Sequence, residues 1–292
     1  MTAIRPRRSV LYMPGSNARA LEKAKTLPAD ALILDLEDAV APDAKPAARE
    51  QVCAAVKAGG YGPREVIIRA NGLDTPWGRD DIRAAAAAGP DGILIPKVSS
   101  PETLLEVGRL LADAPAKIRV WAMVETPAAI LDIARIAAAA RERSTRLACF
   151  VMGTNDLAKE TRARFVPGRQ PMLPWLSLAL TAARAEGLDI LDGVYNNIQD
   201  MDGFRAECEQ GRDMGFDGKT LIHPTQIEPA NEIFAPPAAE VEWARKIIAA
   251  FELPENAGKG VISVDGKMVE ILHAEIGRRV VAVADAIAAR QA

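Results

Sequence analysis

Two acids, Glu125 and Asp156, each stand just past an apolar run: VWAMV leads into Glu125-Thr126-Pro127, and CFVM into Gly153-Thr154-Asn155-Asp156. If those runs are adjacent strands of one sheet, the two carboxylates emerge close together. Such a pair, with water around it, suits Mg²⁺, a hard cation that takes oxygen ligands and keeps positions open for substrate oxygens. Each acid could equally cap a helix or pair with an arginine. Arg69 closes a third run, VIIR, before Asn71-Gly72. A guanidinium grips a carboxylate through parallel N–H bonds, which a lysine cannot imitate; the competing use is an ion pair with Glu37 or Asp38. The run Asp35-Leu36-Glu37-Asp38 places Asp35 and Glu37 on one face by strand alternation and Asp38 in the loop. Glu37 and Asp38 are candidates to hydrogen-bond water around a metal, and Asp35 reads equally well as structural. His223 ends a further run before Pro224 and is a candidate ligand contact, whereas His273 lies in the last helical stretch. With no Gly-x-Ser-x-Gly and no Cys–His pairing, a covalent nucleophile has no support.

The elements that must position these residues alternate along the chain. Strands are expected at Ser9–Met13, Ala31–Leu36, Glu65–Ala70, Gly92–Pro96, Arg119–Val124, Leu147–Met152, Asp189–Val194 and Lys219–Ile222. Helices are expected at Ala18–Thr26, Ala47–Ala58, Arg79–Ala88, Pro101–Ala112, Ala128–Ala140, Pro174–Ala185, Met201–Met214 and Thr225–Phe234. Runs such as ALILDL and VIIRA are apolar on both faces, as in a parallel sheet covered on both sides. No Gly-x-Gly-x-x-Gly follows the first strand, which favours a closed TIM (β/α)₈ barrel over an open doubly wound sheet. Every strand ends in polar or turn residues, among them Pro14-Gly15-Ser16, Pro96-Lys97 and Tyr195-Asn196-Asn197. The C-terminal ends of barrel strands carry active sites, so the site is expected there. The barrel is assigned to residues 1–235. Residues 236–292 form a C-terminal helical extension, read as a lid or an oligomerisation arm: a helix at Ala238–Phe251, a Pro/Gly linker, a hairpin turning at Asp265-Gly266 and a final helix.

Composition narrows the class. A chain of 292 residues with 49% hydrophobic residues and formal net charge −3 is long enough for one large core. Its interspersed charges give no reason to expect nucleic acid or a membrane surface. No run approaches the roughly 20 apolar residues of a membrane span. Cys53, Cys149 and Cys208 match no zinc spacing and suit a reducing, cytoplasmic setting.

RSVLYMPG, LDLEDAV, IRANG, IPKV, VETPAAI, GTNDLA and GKTLIHPTQI, in this order, resemble the citrate lyase β-subunit-like group of the HpcH/HpaI aldolase/citrate lyase superfamily. The likeness runs from about Arg8 through DGKMVE. It implies a TIM barrel assembled as a homotrimer or hexamer, Glu125 and Asp156 as ligands of Mg²⁺ (or Mn²⁺), and Glu125 and Arg69 at the substrate, Arg69 on its carboxylate. Coenzyme A, as part of the substrate, would lie across Tyr12, Lys23, Thr154, Asn155, Ile222 and His223. Asp265 would be a catalytic carboxylate reaching the adjacent subunit. Malyl-CoA lyases tend to have Arg where this chain has Asn17, and Arg19 is the compensating candidate.

The first reading is a Mg²⁺-dependent carbon–carbon lyase that cleaves or forms a 3-hydroxyacyl-CoA such as malyl-, methylmalyl- or citramalyl-CoA. The alternatives are a (3S)-malyl-CoA thioesterase using the same apparatus, a citrate lyase subunit acting on a carrier-bound thioester, and a non-catalytic binding subunit.

Overall fold

A computed structural model describes residues 4–291. Eight parallel strands close into a barrel in sequence order: β1 (Ser9–Pro14), β2 (Ala31–Asp35), β3 (Glu65–Arg69), β4 (Gly92–Ile95), β5 (Arg119–Val124), β6 (Leu147–Met152), β7 (Asp189–Asp192) and β8 (Gly218–Leu221). Closure is made by β1 and β8, with Ser9, Val10 and Leu11 registered on Lys219, Thr220 and Leu221. β2 and β3 are buried at every residue, as doubly covered strands must be. One core cluster joins residues of alternate parity from successive strands, including Val10, Ile33, Ile67, Leu94, Trp121 and Val151. Gly92 admits the close packing, since a Cβ there would lie 2.8 Å from the Ile67 Cδ1.

The helices between strands are α1 (Ala18–Ala24), α2 (Lys45–Ala58), α3 (Gly78–Ala88), α4 (Pro101–Leu110), α5 (Pro127–Leu131), α6 (Ile133–Ala138), α7 (Thr154–Thr161), α8 (Leu173–Ala185) and α9 (Met201–Met214), followed by α10 (Ile227–Ile233). Two expected helices differ. Ala128–Ala140 is broken where Asp132 leaves helical geometry at φ −108°, ψ 12°, and it ends in a 3₁₀ turn. Thr225–Phe234 begins instead as a 3₁₀ turn, Pro224–Gln226, before α10. Helix α7 is an addition that begins on the Thr-Asn-Asp of the sixth strand end. Asn17 has a structural use: its Oδ1 accepts the Ala20 N–H at 3.0 Å and caps α1.

The described chain forms two compact units, residues 7–231 and residues 4–6 with 232–291. The second contains α11 (Ala238–Glu252), a hairpin of β9 (Val261–Val264) and β10 (Lys267–Glu270), and α12 (Ile271–Gln291). Asp265 and Gly266 turn the hairpin with φ of 48° and 75°, the double positive φ of a type I′ turn. Ile247, Phe251, Ile262, Val264, Val269 and Ala274 make its own small core.

Candidate active site

Strand register builds the site. Asp35 and Arg69 are direct partners across β2 and β3, so their side chains leave adjacent strand ends together. Arg69 Nε and Nη2 donate to Asp35 Oδ1 and Oδ2 at 2.6 and 2.7 Å, a bidentate fork buried from water. Asp35 also accepts the N–H groups of Glu37 and Ala39 at 2.9 and 3.0 Å, which folds the acidic turn over the strand end. Arg69 Nη1 lies 2.8 Å from Glu37 Oε2 and donates to Asp38 Oδ2 at 3.2 Å. The guanidinium stacks 4.9 Å from the Tyr12 ring centroid. Of the two uses expected for Arg69, the ion pairs with Glu37 and Asp38 are present, and Asp35, which was not among the expected partners, holds it by two hydrogen bonds. Lys45, buried on α2, donates to the carbonyls of Leu36 and Glu37 at 3.0 and 2.9 Å and pins the same turn.

Glu125 follows β5 and is 2% exposed. Its Oε1 accepts the Lys97 N–H at 2.7 Å. Beside it the chain must be glycine: a Cβ on Gly153 would lie 2.4 Å from the Glu125 Cβ and 2.6 Å from its Oε2. Burial, then Glu37 and Asp156 nearby, push the Glu125 carboxyl up to about 8, against the Lys97 N–H and Arg69, which favour its ionised form. Burial likewise raises Glu37 to about 7, with Arg69 opposing and Asp38 and Asp35 adding to the rise. Desolvation alone would lower the Lys97 ammonium, but Glu37, Asp156, Glu125 and Asp38 outweigh it and hold the pKa above its ordinary value.

Glu37 Oε2 is buried and, despite the nearby guanidinium, lies out of line for a hydrogen bond. An unmatched carboxylate oxygen and a buried, proton-hungry Glu125 mark a place short of positive charge, which a divalent cation would fill. Among the described residues no three His, Cys, Asp or Glu side chains converge as a complete ligand set. Two carboxylates completed by water and substrate oxygens fit Mg²⁺ and not a metal caged wholly by protein.

The remaining candidates are spread around the same strand ends or elsewhere. Thr154 is buried and Asn155 exposed at the start of α7, with the Asn155 side chain bonded both ways to Asn196 at 3.1 and 2.8 Å. Ile222 is 41% exposed after β8, and the His223 ring caps the next turn through Thr225. The buried Gln226 accepts the N–H groups of Ile222 and His223. Lys23 is exposed on α1. Asp265 belongs to the second unit, where its Oδ2 pairs with Lys246.

Sequence reasoning passed over Gly153, Lys45 and the buried group Arg169, Asp192 and Lys219. Asp192 Oδ2 accepts from Lys219 Nζ at 2.9 Å and both its oxygens accept from Arg169 Nη1. This group underlies a cavity of about 530 Å³ lined by Thr154, Phe165, Val194, Tyr195 and Asn196 among others, but by none of Arg69, Glu37, Glu125 or Asp156. The cavity and the acidic cluster around Glu37 and Glu125 are therefore separate features of the strand ends. A lysine inside a strand run, as in GKTL, was the available signal for a buried ion group.

Residues 8–224 match the model of the HpcH/HpaI aldolase/citrate lyase family. The chain belongs to that family. It is 56% identical over 284 residues to a (3S)-malyl-CoA thioesterase of Cereibacter sphaeroides, covering 97% of this chain and 96% of that one. It is 34% identical over 273 residues to the citrate lyase subunit beta of Escherichia coli, covering 91% and 89%. Among solved structures, CitE of Mycobacterium tuberculosis in complex with magnesium, acetoacetate and coenzyme A superposes with a TM-score of 0.74 at 29% identity, covering 96% of this chain and 99% of that one. Members of this family are enzymes, lyases and a thioesterase, and the chain is an enzyme of that kind. No helix among the described residues is long and apolar enough to cross a membrane.

Proposed function

We propose that this protein is a Mg²⁺-dependent thioesterase that hydrolyses a 3-hydroxyacyl-CoA of the malyl class, releasing the free hydroxy-acid and coenzyme A. The observation that carries the reading is the near-full-length likeness to a (3S)-malyl-CoA thioesterase at 56% identity, together with an acidic strand-end site short of a cation. It reverses the order expected from motifs alone, where carbon–carbon cleavage came first. The lyase remains the second reading, supported by the family model and the citrate lyase relatives.

Glu125 and Asp156 would hold the metal. Bound there, Mg²⁺ would supply Lewis acidity toward the hydroxyl and carboxylate oxygens of the substrate. The chain's own residues supply the rest. Gly153 and the Lys97 N–H fix the position of Glu125. Asp35 holds Arg69 in one orientation, so that its outer edge orients the substrate's carboxylate. Glu37, with a proton affinity near neutrality, holds or releases a proton at Oε2 as the attacking water is positioned. Tyr12, Lys23, Thr154, Asn155, Ile222 and His223 are assigned to the CoA arm. Asp265 is assigned to proton transfer at the site of an adjacent copy in a trimer or hexamer, which requires it to exchange Lys246 for substrate.

Product analysis with (S)-malyl-CoA and Mg²⁺ tests this directly. Malate with free CoA, abolished by chelation, is the expected outcome. Glyoxylate with acetyl-CoA and no malate would overturn the hydrolase in favour of the lyase.

A further inference from the structure

Lys97 stands out among the residues around the acidic turn. It is a non-glycine residue at φ 51°, in the left-handed region where a side chain carries a steric cost of order 1 kcal/mol. That conformation aims its N–H at Glu125 Oε1 while the side chain stays half exposed. Among the described residues its Nζ donates no hydrogen bond, and its ion pair with Glu37 Oε1 is loose at 4.0 Å.

Charge counting gives this a consequence. With all five ionised, Asp35, Glu37, Asp38, Glu125 and Asp156 face Arg69 and Lys97, and Lys45 lies at the same turn, which leaves two formal negative charges. A divalent cation would only balance them. An anionic substrate must then find a positive group with free donors. Arg69 turns Nε and Nη2 to Asp35 and Nη1 to Asp38, and so offers little beyond its outer edge. Lys97 has three ammonium donors that make no hydrogen bond among the described residues.

From this geometry we infer that Lys97 is a substrate-binding residue: its ammonium shares with the outer edge of Arg69 the carboxylate of the hydroxy-acid portion, while its backbone N–H holds Glu125. The inference rests on the hydroxyacyl-thioester reading above. A residue with both tasks explains why a lysine occupies a left-handed position where glycine would fit more easily. The side chain is needed for one task and the strained backbone for the other.

The two tasks predict opposite signs when the side chain is removed. Lys97→Met withdraws a positive charge from an acidic cluster, so Mg²⁺ binds as tightly as before or more tightly. A carboxylate ligand loses its charged partner and binds at least about tenfold more weakly. Isothermal titration of the wild type, Lys97→Met and Lys97→Arg, first with Mg²⁺ alone and then with (S)-malate in saturating Mg²⁺, separates these effects. The expected pattern is unchanged or stronger Mg²⁺ binding with weakened malate in Lys97→Met, and recovery of malate binding in Lys97→Arg. Malate bound equally by the wild type and Lys97→Met would overturn the inference while leaving the proposed function standing. Parallel weakening of Mg²⁺ and malate would overturn it too, because that is the signature of a purely structural role. A wild type that binds Mg²⁺ but not malate would sink the proposed function, and the inference with it.

Discussion

The two ends of the barrel use buried charge in opposite ways. At the N-terminal ends of the strands, Arg7 donates from Nε and Nη2 to both oxygens of Glu65 at 2.7 and 2.8 Å, pairs with Asp189, and stacks 4.9 Å from the Trp121 ring. Arg8 forks onto Asp30 at 2.8 and 2.9 Å. Each guanidinium there meets carboxylates in matched geometry. At the C-terminal ends of β2 to β6 five acids meet three cations, Arg69, Lys97 and Lys45, Glu37 Oε2 has no hydrogen bond among the described residues, and Glu125 and Glu37 are pushed toward the neutral form. A satisfied buried pair resists the loss of either partner. An unsatisfied cluster is unstable alone and gains from a ligand that binds only the folded state. The lower end is arranged for stability and the upper end for binding.

Breaking each end separately should give dissociable effects. The largest is expected from Glu125→Gln, which keeps shape and removes a metal-binding group: activity on malyl-CoA should fall by roughly 1,000-fold. Metal-free Tm should be unchanged below about pH 4.5 and higher above it, where the folded wild type keeps the Glu125 carboxyl mostly neutral up to about pH 8 and the unfolded chain does not. A large fall in metal-free Tm would show that Glu125 is structural after all. At the other end Glu65→Gln strips Arg7 of its bidentate partner in a buried setting, with an expected cost of about 3 kcal/mol. Urea titration should show the lowered midpoint, with kcat at permissive temperature within about twofold of wild type. A Glu65→Gln enzyme that unfolds normally but turns over slowly would erase the contrast between the two ends.

Much of this contrast was legible in the sequence, and the part that was not has a physical cause. Apolar runs with polar termini give a parallel barrel and mark its functional end, because strand burial and strand direction are both written in residue type. The acids and Arg69 were found for the same reason. Pairing was harder to read: the sequence offers Glu37 or Asp38 as the ion-pair partner of Arg69, yet the β2–β3 register makes Asp35 the bidentate partner. Gly153 and Lys97 were visible as letters in GTNDLA and IPKV, but their importance is a matter of close approach and of φ, which one-dimensional patterns do not carry. Arg169 escaped notice because it pairs with Asp192 from a loop far away in sequence. The role of Asp265 rests on resemblance, since its ion-pair partner Lys246 lies in its own unit.

The finest expected effect is a pH dependence that distinguishes the ends without mutation. Glu125, near 8 in the folded chain against an ordinary 4.5, binds more protons folded than unfolded between those values, and Glu37 does so up to about 7. The stability they contribute is therefore fully present below about pH 4.5 and is lost as pH rises through 7 and 8. In chelator, the barrel's Tm should fall by several degrees between pH 5 and 8, since about 1 kcal/mol moves a domain of this size by roughly 2–4 °C. Mg²⁺ competes with those protons, so its affinity should rise across pH 7 to 8, and saturating Mg²⁺ should flatten the Tm profile. Glu125→Gln should flatten it as well, with no metal present. A chelated wild type whose Tm holds level from pH 5 to 8 would mean that the upper acids are as well matched as the lower ones, and the division of labour between the two ends would fail.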